Sequence, residues 1–224
     1  MESGNLMATY AFSDLHGRKD LWLKANKEVF GPNDTIYFLG DAADRGPDGW
    51  EMIKTLLDDE RVIYLKGNHE DMLYNAVKKG KTANLYWNGG KSTFEAFELD
   101  TEENQKKYIN KLKDLPLYVH WYKDNKNVIL SHAGMTPCRP IFNEEDWFWD
   151  REHLYDEWLG ASEDVYIIHG HTPVQNLVEF EGVIEPIRYC YGHKIDIDLG
   201  AFVSNKLGIL NLDTFEDCSI GLEV

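Results

Sequence analysis

The sequence predicts an α/β fold. Short apolar runs of strand length alternate with segments of helical period through residues 8–168, and the C-terminal third offers further short strands with few helix signals. A second observation says where a site would lie. Five of the runs each stop at a residue of metal-ligand type: Asp14 with His16, then Asp41, Asn68, His132 and His171. In open α/β sheets, sites form beyond the carboxyl ends of the strands. A length of 224 residues is enough for one domain with a real core, taken here as residues 1–224.

Taken in order, residues 8–13 form the first strand and end in Asp14-Leu15-His16-Gly17. Residues 18–30 read as a helix with Leu21, Leu23, Ala25 and Val29 on its apolar face, stopped by Gly31-Pro32. The run 35–39 is a buried strand that leads into Gly40-Asp41-Ala42-Ala43-Asp44-Arg45-Gly46. Here an acid suited to a cation stands four residues before an arginine suited to a phosphate. Residues 49–57 follow as a helix, with Trp50, Ile53, Leu56 and Leu57 on one side. The strand 62–65 ends in Lys66-Gly67-Asn68-His69-Glu70, and 70–79 is helical.

Residues 80–127 are less regular and are expected to form a small helical cap. Trp87-Asn88-Gly89-Gly90 reads as a loop with special backbone angles, and Asp100-x-x-Glu103 as a capping box. The strand 127–130 reaches Ser131-His132-Ala133-Gly134. The acidic, aromatic stretch 142–151 would hold Arg151 still among bulky neighbours. The strand 165–168 reaches His169-Gly170-His171-Thr172-Pro173. Residues 177–180, 184–189, 195–199 and 207–210 read as a second sheet of hairpins.

Composition excludes some classes. A formal charge of −16 repels polyanions and argues against nucleic-acid binding. No run approaches the ~18 apolar residues of a membrane span, and residues 1–7 have neither the basic nor the apolar region of a secretory signal. Cys138, Cys190 and Cys218 are few and irregularly spaced, as in a cytoplasmic protein with reduced thiols.

Each motif alone is weak. A lone Asp-x-His is commonly a surface turn, a Gly-Asp loop favours turns anyway, and a single histidine is commonly a core residue. Together the strand ends supply two carboxylates, three imidazoles and one amide. That is too many ligands for one tetrahedral metal and fits two metals sharing Asp41; mixed carboxylate and imidazole ligands suit a first-row transition metal.

The series DLHG, GDAADRG, GNHE, SHAG and GHTP closely resembles the calcineurin-like metallophosphoesterases, within them the phosphoprotein phosphatase branch in its short bacterial and phage form. The resemblance covers residues 8–212. It implies a four-layer sandwich of two mixed β-sheets flanked by helices. It implies two divalent transition-metal ions, manganese first with iron or zinc as alternatives. Asp14, His16 and Asp41 would hold one ion; Asp41, Asn68, His132 and His171 would hold the other. A hydroxide between the metals would attack phosphorus directly. Arg45 and Arg151 would bind phosphoryl oxygens, His69 would protonate the leaving alkoxide, and Asp44 would orient His69. His120, His153, His169 and His193 fit none of these motifs, and Asp196 and Asp198 stand as supports behind the site. The implied activity is that of a monomeric, cytoplasmic serine/threonine protein phosphatase acting on phosphorylated proteins, peptides or small phosphoesters. The alternative is a symmetrical bis(5'-nucleosyl)-tetraphosphatase, whose motifs are nearly the same, and a more distant one is a metal-binding scaffold without activity. Intact His69, Asp44 and Arg45 argue against the scaffold, which has no need of them.

Overall fold

Side-chain alternation along the first strands decides how the layers stack. In the computed structural model, which describes residues 7–137, 140–156 and 164–222, Phe12, Ile36 and Phe38 face one way. Ala11, Tyr37 and Leu39 face the other. Both faces are covered, so 35–39 is an unbroken apolar run rather than an alternating one. The readings at residues 1–6 and at Cys138 lie outside the described residues.

In chain order the elements are β1 (Thr9–Phe12), α1 (Lys19–Glu28), β2 (Thr35–Phe38), α2 (Gly49–Asp58), β3 (Val62–Tyr64), α3 (Asn68–Lys79), α4 (Thr82–Trp87), α5 (Lys91–Leu99), α6 (Glu102–Lys113), β4 (Tyr118–Lys123), β5 (Lys126–Ser131), α7 (Asp146–Trp149), β6 (Val165–His169), β7 (Ile187–Tyr189), β8 (Lys194–Asp196), α8 (Ala201–Ser204), β9 (Lys206–Asn211) and β10 (Asp217–Gly221). They build two five-stranded sheets, ordered β10-β9-β1-β2-β3 and β4-β5-β6-β8-β7. Each is mixed. In the first, β1, β2 and β3 are parallel, and β9 and β10 run antiparallel at one edge. In the second, β5, β6 and β8 are parallel between antiparallel β4 and β7. The parallel strands of both sheets carry the motif loops at their carboxyl ends.

Two cores follow from this stacking. Ala11, Tyr37, Leu39 and Leu65 meet Val128, Leu130, Ile168 and Ile195 between the sheets. On the outer face of the first sheet, Phe12 packs against Phe38 and Trp22, with ring centroids 4.8 and 5.5 Å apart. Helices α2, α5 and α6 join that layer around Trp50. Its ring sits edge-on to Phe97 and Tyr108, and its indole N–H donates to Asp100 at 2.8 Å. Leu85, Ile109 and Leu112 from the 80–113 region belong to the same cluster as Ile53 and Leu73.

Several local readings are corrected. Residues 177–180 are not a strand: Phe180 N–H bonds back to Leu177 O, giving 3-10 turns at Val174–Asn176 and Val178–Phe180. The C-terminal hairpins do not all join the second sheet, because β9 pairs with β1 and carries the unforeseen β10 with it. The capping box does not form at Asp100. Thr101 is the N-cap, its hydroxyl accepting from Asn104 N–H at 3.3 Å, while the Asp100 carboxylate is taken by Trp50, Lys54 and Asn104. Helix α3 starts two residues early, so Asn68 and His69 sit in its first turn. Strand β4 was hidden in the stretch taken as irregular.

Because α6 shares a core with α2 and α3, Leu112→Ala should destabilise the whole chain by about 2–5 kcal/mol. Urea unfolding followed by tryptophan fluorescence should show one transition at a lower midpoint. An early, separate loss of helical signal would show that α4–α6 fold on their own.

Candidate active site

The loops after β1 and β2 are stitched to one another by backbone hydrogen bonds. Asp14 N–H donates to Gly40 O (3.0 Å), His16 N–H to Asp41 O (3.0 Å), Gly17 N–H to Ala42 O (2.7 Å) and Gly46 N–H to His16 O (3.0 Å). The stitching holds unusual backbone angles. Asp14, His16, Asp41, Asp44, Arg45 and His171 all lie at positive φ, between 45° and 71°. Such angles cost a non-glycine residue about 1–2 kcal/mol, and these are six of the twelve non-glycine residues at positive φ among the described residues. Two glycines allow the loops to close on the acids: a Cβ on Gly67 would overlap the Asp41 carboxylate, and one on Gly170 would overlap that of Asp14.

All six expected ligand residues are buried and brought together. One oxygen of Asp41, Oδ2, is their common point. It lies 3.3 Å from His132 Nε2, 3.8 Å from His69 Nε2 and 3.9 Å from His16 Nε2. His132 Nε2 in turn lies 2.9 Å from Asn68 Oδ1 and 3.1 Å from His171 Nδ1. Asp14 Oδ1 is 3.8 Å from His16 Nε2. Among the described residues, two groups could each hold a cation: His16, Asp41 and His69, and Asp41, His132 and His171. Asp41 belongs to both. His69, expected as a proton donor, stands in the first group.

The donor set fits a metal. His16 and His132 each turn Nδ1 toward a backbone carbonyl, Ala43 O and Leu39 O, both at 2.9 Å. Donation of that N–H turns each Nε2 toward the acids, where it can bind a metal once its own proton is lost. Asp14 gives one oxygen to Ser13 Oγ and His171 N–H; the other, Oδ1, is buried without a protein partner, as is His171 Nε2. Burial raises the Asp14 carboxyl, and the neighbouring Asp41 adds to the rise. Burial alone would lower His132, yet Asp41 and Asp14 hold it up to about 9. Two carboxylates out of water thus draw a proton onto the nearest imidazole, which marks a site built for positive charge.

The remaining motif residues gather around this centre. His69 Nδ1–H donates to Asp44 Oδ2 at 2.6 Å, and both side chains are fully buried. Arg45 reaches His16 Nε2 (2.7 Å) and His69 Nε2 (3.3 Å). Arg151 stands at the exposed mouth with Nε bonded to Thr172 Oγ1 at 3.2 Å, lining one cavity with Arg45, His16 and His171. His169 turns away, bonding the Tyr189 hydroxyl at 2.6 Å and packing on His153.

Several supporting residues escaped the sequence reading. Glu70 accepts from Asp41 N–H (2.8 Å), Ala42 N–H (2.9 Å), Gly67 N–H (2.9 Å) and Tyr64 O–H (2.7 Å). It was legible only as the last letter of GNHE. Asp44 N–H is held by Thr93 Oγ1 (3.0 Å), and Arg45 N–H by Gly89 O (3.1 Å), which gives the WNGG loop its purpose. Lys194, fully buried in β8, donates to Thr136 Oγ1 (2.7 Å) and His153 O (2.5 Å), anchoring the segment just after Arg151. The alternation Lys194, Asp196, Asp198 was the available signal.

Because Asp41 is shared by both groups, Asp41→Asn should lower metal content and hydrolysis together. Elemental analysis after loading with excess manganese checks this. A wild-type protein holding no more than one metal per chain would rule out the shared carboxylate.

Residues 7–175 match the family model described as calcineurin-like phosphoesterase. Among curated proteins, a 198-residue match is 29% identical to bis(5'-nucleosyl)-tetraphosphatase PrpE [asymmetrical] of Oceanobacillus iheyensis, covering 78% of this chain and 72% of that one. Serine/threonine-protein phosphatase 2 of Escherichia coli is 25% identical over 215 residues, 91% of this chain and 92% of its own. A solved serine/threonine phosphatase from Saccharomyces cerevisiae superposes with a TM-score of 0.62 at 14% identity, over 100% of this chain and 82% of the yeast chain. With three quarters of its length inside the family model and its buried Asp/His groups at the strand ends, the chain belongs to the calcineurin-like phosphoesterase family and is a metallophosphoesterase, a hydrolase of phosphoric esters.

Proposed function

We propose that this hydrolase is a serine/threonine protein phosphatase working with two divalent ions, manganese first among them. Asp14, His16 and Asp41 would hold one ion; Asp41, Asn68, His132 and His171 would hold the other. When bound, such ions supply Lewis-acid polarisation of the phosphoester and a nucleophile at neutral pH. The chain's own side chains do the rest. Arg45 and Arg151 present guanidinium groups that can each fork onto phosphoryl oxygens. The Asp44 carboxylate, dry and 2.6 Å from His69 Nδ1, fixes the imidazole so that Nε2 faces the centre. Burial opposes the charged imidazole, but Asp41 and Asp44 outweigh it and raise the His69 pKa, which favours the protonated form that a general acid needs.

That dyad is the observation that carries the reading. A serine alkoxide is a poor leaving group and needs a proton as the P–O bond breaks. A nucleotide leaving from a polyphosphate chain is a better one and needs it less. The name of the PrpE relative supports a second reading, hydrolysis of dinucleoside polyphosphates. Against it, Arg45 and Arg151 are the only Lys or Arg side chains lining the cavity beside the centre, among the described residues, so further phosphates would find no cation there. A side-by-side measurement of kcat/KM on a phosphoserine peptide and on diadenosine tetraphosphate decides between them.

His69→Asn should retain both metals and lose about 100- to 10,000-fold on a phosphoserine peptide. The loss on para-nitrophenyl phosphate, whose leaving group is good, should be clearly smaller. Equal losses would assign His69 to charge stabilisation instead. Loss of a metal would make it a ligand, as its place in the His16 group allows.

A further inference from the structure

The cavity that Arg45 and Arg151 share with His16 and His171 is larger than a phosphoryl group needs. It measures about 540 Å³ and is also lined by Pro173, Gln175, Ile184, Phe202 and Val203. No acidic residue lines it among the described residues. Its lining is therefore cationic in one part and neutral and apolar in the rest.

The apolar part is held in place. Phe202 and Val203 sit on the short helix α8, 45% and 82% exposed although both are hydrophobic. Arg18, two residues after His16, donates through Nη1 to Ala201 O and Asn205 Oδ1, both at 2.8 Å. This ties α8 directly to the loop that carries Asp14 and His16. The wall thus keeps a set distance from the centre, and among the described residues nothing covers Phe202 and Val203 fully. Beside it, Gln175 Nε2 donates to Leu199 O at 2.8 Å, while Gln175 Oε1 is buried without a protein partner. An apolar wall beside two arginines suits a phosphopeptide: the arginines take the phosphoryl group, and the wall receives a side chain.

We propose that this cavity is a specificity subsite of the phosphatase, with Phe202 and Val203 receiving an apolar side chain that lies within two residues of the phosphorylated one. The inference rests on the protein-phosphatase reading above. An extended peptide advances about 3.3 Å per residue, so neighbours of a phosphoserine held by the arginines come within reach of a cavity of about 540 Å³. Charge favours the same occupant. A phosphopeptide with apolar flanks brings one phosphoryl group to the two arginines and neutral matter to the rest, whereas a chain of −16 repels a more anionic ligand.

The test uses the metal-loaded full chain and phosphoserine peptides of one sequence. Leucine is placed in turn at the two positions on either side of the phosphoserine, with glycine at the others. At one position at least, leucine should raise kcat/KM about tenfold over the all-glycine peptide, mainly through KM, the range expected for burying one apolar side chain. Phe202→Ser and, independently, Val203→Asp should each cut that ratio to about twofold or less. Because the readout is a ratio within one preparation, partial unfolding of a variant does not imitate it. Equal rates on all peptides by the wild-type protein would overturn the subsite and leave the phosphatase reading standing. So would a ratio that survives both substitutions. Hydrolysis of diadenosine tetraphosphate with none of any peptide would end both. A Phe202→Ser variant impaired on diadenosine tetraphosphate alone would make the cavity a nucleoside site.

Discussion

The site depends on one buried carboxylate that bonds the backbone behind the metal-ligand residues. Glu70 accepts four hydrogen bonds, three of them from the backbone of Asp41, Ala42 and Gly67. Those donors belong to the chain leaving β2 and the chain entering α3. A carboxylate with its lone pairs filled in this way locks two strand ends at fixed separation. Asp41 is then held with its Oδ2 toward three imidazoles, and Asn68 and His69 leave the first turn of α3 toward the same point. Remove that lock and the Asp41, Ala42 and Gly67 N–H groups are left buried without partners, which the interior tolerates poorly.

From this point the layers read outward. The dry interface between the two sheets fixes how their carboxyl edges meet, so residues as far apart as Asp14 and His171 share a hydrogen bond. The net charge is strongly negative, yet the mouth carries Arg45 and Arg151. The global field and the local one are therefore opposed. On the function proposed above, such a site would select for a ligand whose anionic part is small and concentrated.

How much of this was legible in the sequence follows from range. The ligand-type residues were readable because each stands where an apolar run stops, a local signal. The β2 run was readable because both of its faces are buried. Thr93, which holds the Asp44 backbone across 49 residues, carries no local sign of its role, and neither does Thr172 beneath Arg151. Lys194 carries no local sign of burial either, and only the fold shows it to be interior. The misread stretch 177–180 has strand-like composition, but it lies between Pro173 and Gly182 and closes on itself through short-range turns. Strand β9 joined the first sheet because its partner, β1, lies about 200 residues earlier, beyond any reading of neighbours.

The left-handed backbone at Asp14, His16, Asp41, Asp44, Arg45 and His171 has a bearing on how this chain can change. At about 1–2 kcal/mol each, these conformations together withhold an amount comparable with the 5–15 kcal/mol net stability of an ordinary domain. Glycine at any of them would relieve the strain and remove the working side chain in the same step. If these six residues work as proposed, selection for heat resistance alone would drift toward inert variants there, and thermal robustness and turnover would pull in opposite directions.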